Sequence, residues 1–403
     1  MTQALYTRGL EVLLRALRLS GTTEPSEKQV WNLASNWIEA QDLLVPQAHK
    51  QKLKNELVHA VVGFGPLELW LRDDTVSEIM VNGPDCIFVE KGGQLAQAEA
   101  RFTSEEQLIQ VINRMVAQVG RRIDESQPLV DARLPDGSRV NAIIPPLSLN
   151  GPVVTIRKFP AEPFTLDDML MHQSLNQPMA ELLKLLVRAQ QNIIISGGTG
   201  AGKTSTLNAC ASLIPHAERV ITIEDSAEIR INHPHLISLE ARVANLEGRG
   251  AITIRDLLKN ALRMRPDRIV VGEIRGGEAI DMLQAMNTGH QGSLNTVHAT
   301  APLESLYRLE TMVLMGDVAL PLSAIRPQIK QGINWVLQQS RLSDGTRKIT
   351  EIAEVVSNPQ EPDYQVKTVA YYDRKKQKFS SAGYGPVLVK DQGSKALLKW
   401  CQA

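Results

Sequence analysis

The sequence predicts an α/β fold, a mainly parallel sheet covered by helices, preceded by a smaller α+β domain. Three observations predict it. From Asn192 onward the apolar runs "NIIIS", "VITIED", "LISLE", "RIVVGE" and "SLNTVHA" recur, with helical stretches such as "TIRDLLKNALRM" and "GGEAIDMLQAMNTG" between several of them. Alternating β and α is the pattern of a parallel sheet. The stretch "ISGGTGAGKTSTLNA", positions 195–209, sets a glycine-rich turn between a strand-like and a helix-like run. Upstream, "EIMVNG" and "CIFVEKGGQL" read as short strands with Asn-Gly and Gly-Gly turns.

The elements follow in order. Residues 1–58 read as a helical segment, because "LEVLLRALRL" and "QVWNLASNWIEAQDLL" carry apolar residues at helical spacing around "SGTTEPSE". Residues 59–160 read as the α+β domain. Its helix, "SEEQLIQVINRMVAQVG", puts Leu108, Val111, Ile112, Met115 and Val119 on one face. "DARLPDGSRVNAIIPP" and "PVVTIRKF" supply further strands, with Asp-Gly marking a turn. "PAEPFTLDDML" reads as a linker into the α/β part, residues 161–345. Residues 346–403, with "RKITEIAEVV" and "YQVKTVAYYD", read as a β-rich C-terminal tail. The chain shows no internal repeat and no low-complexity tract.

Composition narrows the function. The 403 residues suit two or three domains, and 43% hydrophobic residues suffice for cores. Lys+Arg and Asp+Glu balance at 44 each and aromatics are 4%. That argues against a nucleic-acid protein, which would be basic and carry stacking aromatics, although a local basic patch stays open. Cys86, Cys210 and Cys401 lie far apart, so neither a zinc site nor a disulfide framework is expected and a reducing cytoplasm fits. The first twenty residues lack a signal-peptide core, and no run approaches the roughly 18 apolar residues of a membrane span. Work at a membrane would need recruitment.

The glycine-rich turn carries the clearest chemistry. Gly197, Gly198, Gly200 and Gly202 let the backbone take positive φ and approach a ligand closely. Around Thr199 and Ala201 consecutive N–H groups would cradle phosphate oxygens at the positive end of a helix dipole. Lys203 is placed to reach the β- and γ-phosphates, Thr204 to ligate Mg²⁺, and Ser205 follows in the same turn. The pattern G-x-x-x-x-G-K-[ST], the Walker A motif, is fully matched. The chain is therefore expected to bind a nucleoside triphosphate, with ATP and Mg²⁺ as cofactors.

Four other stretches hold candidates. In "RMRPDRIVVGEIRGG" Glu273 sits at the carboxyl end of a buried strand, where the ligand crevice of an α/β sheet lies. It could orient a water toward the γ-phosphate or help hold the metal. In "VITIEDSAEIR" Glu224 and Asp225 could hold Mg²⁺ through water, or Asp225 or Ser226 could cap a helix. In "MNTGHQGSLNTVHAT" His290 and His298 lie eight apart with no further ligand nearby, so spacing alone favours structural histidines. His233 and His235 read as ordinary groups. Arg133, Arg139 and Arg157 could neutralise charge on a phosphoryl transition state or be plain strand-surface cations.

Taken together, "GGTGAGKT", "TIEDSAE", "VVGEIR" and "GHQGSLNTVHA" resemble, in order and spacing, the ATPases of bacterial secretion and type IV pilus assembly, from about residue 60 to 345. "RIDESQPLVDARLPDGSRVNAIIPP" and "LRMRPDRIVVGEIRGGEAIDMLQAMNTGHQGS" look like the CpaF-type branch, which drives tight-adherence (Tad, Flp) pili. The resemblance implies a PAS-like N-terminal domain and a RecA-like motor domain in a homo-hexameric ring. It implies a place at the cytoplasmic face of the bacterial inner membrane, an integral platform protein as partner, and a pilin or secreted substrate acted on indirectly. Direct nucleic-acid binding is not expected. By the same resemblance Glu273 is the catalytic glutamate and Glu224 the acidic-box glutamate. His290 and His298 become histidine-box residues, His290 toward the nucleotide and His298 toward catalysis. Arg139, Arg157 and Arg133 carry over as arginines near the chemistry. Two departures stand out: no cysteine tetrad for the zinc module of the general-secretion branch, and Ser226 where many members have proline. A nucleic-acid-stimulated motor, a conjugation-type transfer ATPase and a slow nucleotide switch remain rival readings.

Overall fold

A computed structural model of the protein describes residues 2–21, 25–41, 46–158, 163–242, 249–316, 319–357 and 361–403. These fall into two compact units, Met1–Ala161 and Glu162–Ala403. The domain boundary expected at residues 160 and 161, and the first residues of the linker, lie outside the described residues.

The first unit opens with three helices, α1 (Thr2–Leu19), α2 (Glu27–Glu39) and α3 (Gln47–Val61). A capping box between Ser26 and Gln29 starts α2. Leu13, Leu17, Val30, Ala34, Trp37 and Leu57 form a core of their own among these helices. A short helix, α4 (Glu68–Leu71), leads into strands β1 (Val76–Asn82), β2 (Ile87–Lys91) and β3 (Gln94–Gln97). Helix α5 (Glu105–Ala117) and strands β4 (Leu129–Arg133), β5 (Arg139–Ile143) and β6 (Val153–Arg157) complete the unit. The six strands form one antiparallel sheet in the order β3-β2-β1-β6-β5-β4. Helix α5 buries Leu108, Val111, Ile112, Met115 and Val116 against the strand residues Ile79, Val140, Val154 and Ile156. Val119 was expected on that face. The helix ends two residues before it, so Val119 is only half-buried and Val116 takes the core position.

The second unit begins with α6 (Leu166–Met171) and α7 (Gln177–Arg188), then β7 (Ile193–Gly197), α8 (Lys203–Ala211), β8 (Val220–Glu224) and β9 (Leu236–Glu240). It continues with α9 (Ile254–Ala261), β10 (Arg268–Val271), α10 (Glu278–Asn287) and β11 (Leu294–Val297). Helices α11 (Pro302–Leu314) and α12 (Leu322–Gly332) precede β12 (Trp335–Arg341), β13 (Arg347–Val356), β14 (Gln365–Asp373) and β15 (Lys378–Ser381). Helices α13 (Val387–Gln392) and α14 (Lys395–Cys401) close the chain. The nine strands run β15-β14-β13-β12-β7-β11-β10-β8-β9, parallel from β12 to β9 and antiparallel from β12 to β15. The central strands are apolar on both sides because helices cover both faces. One face packs Leu182, Leu183, Leu186 and Leu207, the other Leu258, Leu283, Leu306 and Ile329. Residues 346–403 extend this sheet, and Val369, Val389, Leu397 and Cys401 bury in its first core. The three cysteines are free, and among the described residues no helix is long and apolar enough to cross a membrane.

Candidate functional site

The site is built where parallel strands end. Strand β7 is buried along its length and turns at Gly197 into the glycine loop, and α8 begins at Lys203. Of the four glycines, Gly200 (φ 70°) and Gly202 (φ 94°) take the left-handed backbone. Gly197 serves a different need: a Cβ there would stand 2.5 Å from the carbonyl oxygen of Gln339 on β12. Thr199 and Ala201 complete the loop, and Thr204 and Ser205 occupy the first turn of α8. An anion held here would face the N-terminus of α8.

Lys203 is 8% exposed, and its Nζ donates to the Gly198 carbonyl of its own loop at 3.0 Å. The ring of His298, the residue just after β11, lies 3.3 Å from the same Nζ at Nδ1. His298 Nε2 in turn stands 3.0 Å from Glu273 Oε1. That oxygen is buried with no hydrogen bond, whereas Oε2 accepts from Arg275 Nη2 at 2.7 Å. Arg275 also reaches Asp225 Oδ2 at 3.5 Å. Lys203, His298, Glu273, Arg275 and Asp225 thus form one chain of contacts across the ends of β7, β11, β10 and β8. Burial opposes ionisation of Glu273, but the Arg275 hydrogen bond and charge, with Lys203 beside it, outweigh it and hold the carboxyl below its ordinary range. Burial and the Lys203 charge push His298 below its ordinary value, so its imidazole is neutral at pH 7. Burial, offset by Glu273, lowers Lys203 as well.

The other predicted residues fall in three places. Glu224 is 3% exposed at the end of β8, and its carboxylate accepts the backbone N–H groups of Glu228 (2.9 Å) and Ile229 (3.0 Å). No helix follows, so the capping alternative for Asp225 or Ser226 does not apply; the loop is held by Glu224. His290 and His298 lie apart. Because β11 runs parallel to β7, His298 falls at the P-loop end while His290, four residues before β11, falls at the opposite edge of the sheet. There its backbone N–H donates to the Ala285 carbonyl behind α10, and its ring Nδ1 is buried with no hydrogen bond. Arg133, Arg139 and Arg157 lie on the first unit's sheet. Register places Glu90, Glu78, Arg157, Arg139 and Arg133 in a single cross-strand row over β2, β1, β6, β5 and β4.

Sequence reading missed Arg275, Arg341 and Arg347. Arg275 could have been found two residues beyond Glu273. Arg341 and Arg347 end β12 and begin β13, and only the pairing of β12 with β7 brings them to the loop.

The residues present fit a metal-bound nucleoside triphosphate. The loop offers left-handed glycines at the start of a helix, an amine and a hydroxyl follow, and Glu273 leaves a buried oxygen without a hydrogen-bond partner. Parallel sheet, P-loop and strand-end glutamate together define a RecA-like P-loop ATPase. The chain belongs to the Type II/IV secretion system protein family, which it matches over residues 61–378. It is 36% identical to a Mycobacterium tuberculosis protein named as a candidate for conjugal transfer, over 81% of this chain and 92% of that one. It is 30% identical to the type IV secretion system protein VirB11 of Bartonella quintana, over 75% of this chain and 94% of that one. In fold it is similar to the Legionella pneumophila ATPase DotB, with a TM-score of 0.51 and 22% identity over 72% of this chain and 80% of that one.

Proposed function

We propose that this chain is a hexameric ATPase of the CpaF-like branch that hydrolyses Mg²⁺-ATP to power assembly of a Flp or type IV-like pilus, or secretion, at the inner face of the bacterial inner membrane. The observation that carries the reading is the contact chain from Lys203 through His298 to Glu273 at the P-loop end of the sheet. A bound Mg²⁺ would neutralise charge on the β- and γ-phosphates, with Thr204 and Glu273 as its nearest protein groups. Lys203 would exchange the Gly198 carbonyl for phosphate oxygens. Glu273 would orient the attacking water, and neutral His298 would keep Lys203 and Glu273 in register without adding charge. Glu224 would act at one remove, by fixing the loop that carries Asp225. In the same reading Arg133, Arg139 and Arg157, set in one row by the strand register, would offset phosphoryl charge. In this reading the domains are a helical segment (1–58), a PAS-like domain (59–160), a motor domain (161–345) and a C-terminal extension (346–403). The helical segment contacts partners, and the membrane partner is a platform protein.

The test is Glu273→Gln, assayed for phosphate release and for nucleotide binding. Turnover falls at least about 100-fold, the range for loss of a general base, while ATP still binds. Normal hydrolysis by this variant would remove Glu273 from the mechanism. A conjugation-type role is the second reading, favoured by the name of the Mycobacterium tuberculosis relative. Stimulation of turnover by DNA would select it.

A further inference from the structure

The β12–β13 hairpin meets the P-loop from the side. Strand β12 pairs with β7 as far as Gln339 opposite Gly197, so the chain beyond it, Ser340 and Arg341, runs alongside the glycine loop. Arg341 and Arg347 face each other across the last rung of the hairpin. Arg347 Nε donates to the carbonyl of Gly200 at 3.0 Å, a bond that spans 147 residues of sequence. A Cβ on Gly202 would stand 3.0 Å from Arg347 Cδ and 3.1 Å from Gln339 Nε2. Arg341 Nη1 lies 4.0 Å from the Cβ position of Gly200. From below, Gln339 Oε1 accepts the Thr206 hydroxyl at 2.7 Å, which ties the same hairpin to the first turns of α8. The acidic residue of the turn, Asp344, is engaged by the N–H and hydroxyl of Thr346.

The Arg347 contact has a consequence for the loop. A peptide plane has its carbonyl and the next N–H on opposite sides. Fixing the Gly200 carbonyl outward, toward the hairpin, therefore fixes the Ala201 N–H on the inner side of the loop, where it points to the Gly198 carbonyl at 3.4 Å, the same oxygen that Lys203 Nζ holds. We infer that Arg347 is a positioning residue for the P-loop, holding the Gly200–Ala201 peptide in the orientation that receives the polyphosphate of a nucleotide. The hairpin at residues 341–347 is thus part of the nucleotide site. This rests on the P-loop reading given above.

The experiment measures ATP affinity, kcat and the thermal midpoint of the chain carrying Arg347→Met or Arg347→Lys, with Lys203→Ala as reference. Arg347→Met, which has no donor, weakens ATP binding about tenfold, as loss of one charge-assisted hydrogen bond would, with a smaller fall in kcat. Arg347→Lys, which can still donate to the carbonyl, recovers part of that affinity, and the thermal midpoint stays within about 2 °C of the parent. Unchanged affinity in Arg347→Met overturns the inference, as does a lowered thermal midpoint that Arg347→Lys shares in full. Retained ATP binding by Lys203→Ala is a separate failure, that of the P-loop reading itself.

Discussion

At the scale of single residues, the site is held by a short run of polar contacts. Lys203 spends its charge on the Gly198 carbonyl, and Glu273 spends one oxygen on Arg275. His298 sits between them, kept neutral by burial and by the cation beside it. Its titration has a defined sign. The folded pKa lies below the ordinary value of 6.5, so on acidification the unfolded chain takes the proton first. This contribution to stability is present above about pH 6.5, falls as pH drops through that value, and levels off once the folded imidazole is itself protonated. Histidine-detected NMR of the nucleotide-free protein is expected to show His298 titrating below 6.5. A midpoint above 6.5 would mean that Glu273, not Lys203, dominates its surroundings. The P-loop residues and Glu273 were legible in the sequence because their spacing is local to one strand and one turn. Arg347 was not, because nothing near position 347 announces a strand that ends beside position 200.

At the scale of elements, the strands and helices of the α/β part read out well from periodicity, since a central strand is apolar on both faces and each helix on one. Buried charge was the hidden part. Arg268 looks from the sequence like an ordinary polar start to "RIVVG", yet it is fully buried. It is paired with Glu218, fifty residues away in sequence, and bonded to the carbonyls of Val187 and Gly292. This group locks the opening of β10 to the end of α7 and to the turn before β11. Glu218→Ala strands a buried guanidinium and is expected to cost about 3 kcal/mol, read as a lowered urea midpoint. Replacing Arg268 by Met in the same background should recover part of the loss, because an uncharged side chain needs no partner. The arginine row of the first unit was invisible for a related reason. Arg133, Arg139 and Arg157 are scattered in sequence, and only the register of β4, β5 and β6 sets them in a line.

At the scale of the whole molecule, the proposed ring predicts a site that is completed by assembly. Under the hexamer reading, ATP turnover per chain is expected to climb steeply as protein concentration rises, and sizing on the same samples should show larger species over that range. Flat specific activity from a monomeric sample would count against a ring. The 346–403 region was read as a tail because its strand-like text follows the last recognisable box. Physically it cannot be set apart, since its strands continue the sheet that holds the P-loop and its helices bury into the same core.

The seating of β12 beside β7 also bears on how the protein is born. β7 has β11 on one side and β12 on the other, and β12 is the later of the two to be synthesised. Until residues 335–341 have left the ribosome, the strand that carries the P-loop offers a bare row of N–H and C=O groups along one side. A nascent or prematurely terminated chain therefore exposes its most apolar strand as a template for wrong pairing. The nucleotide pocket is finished late in translation.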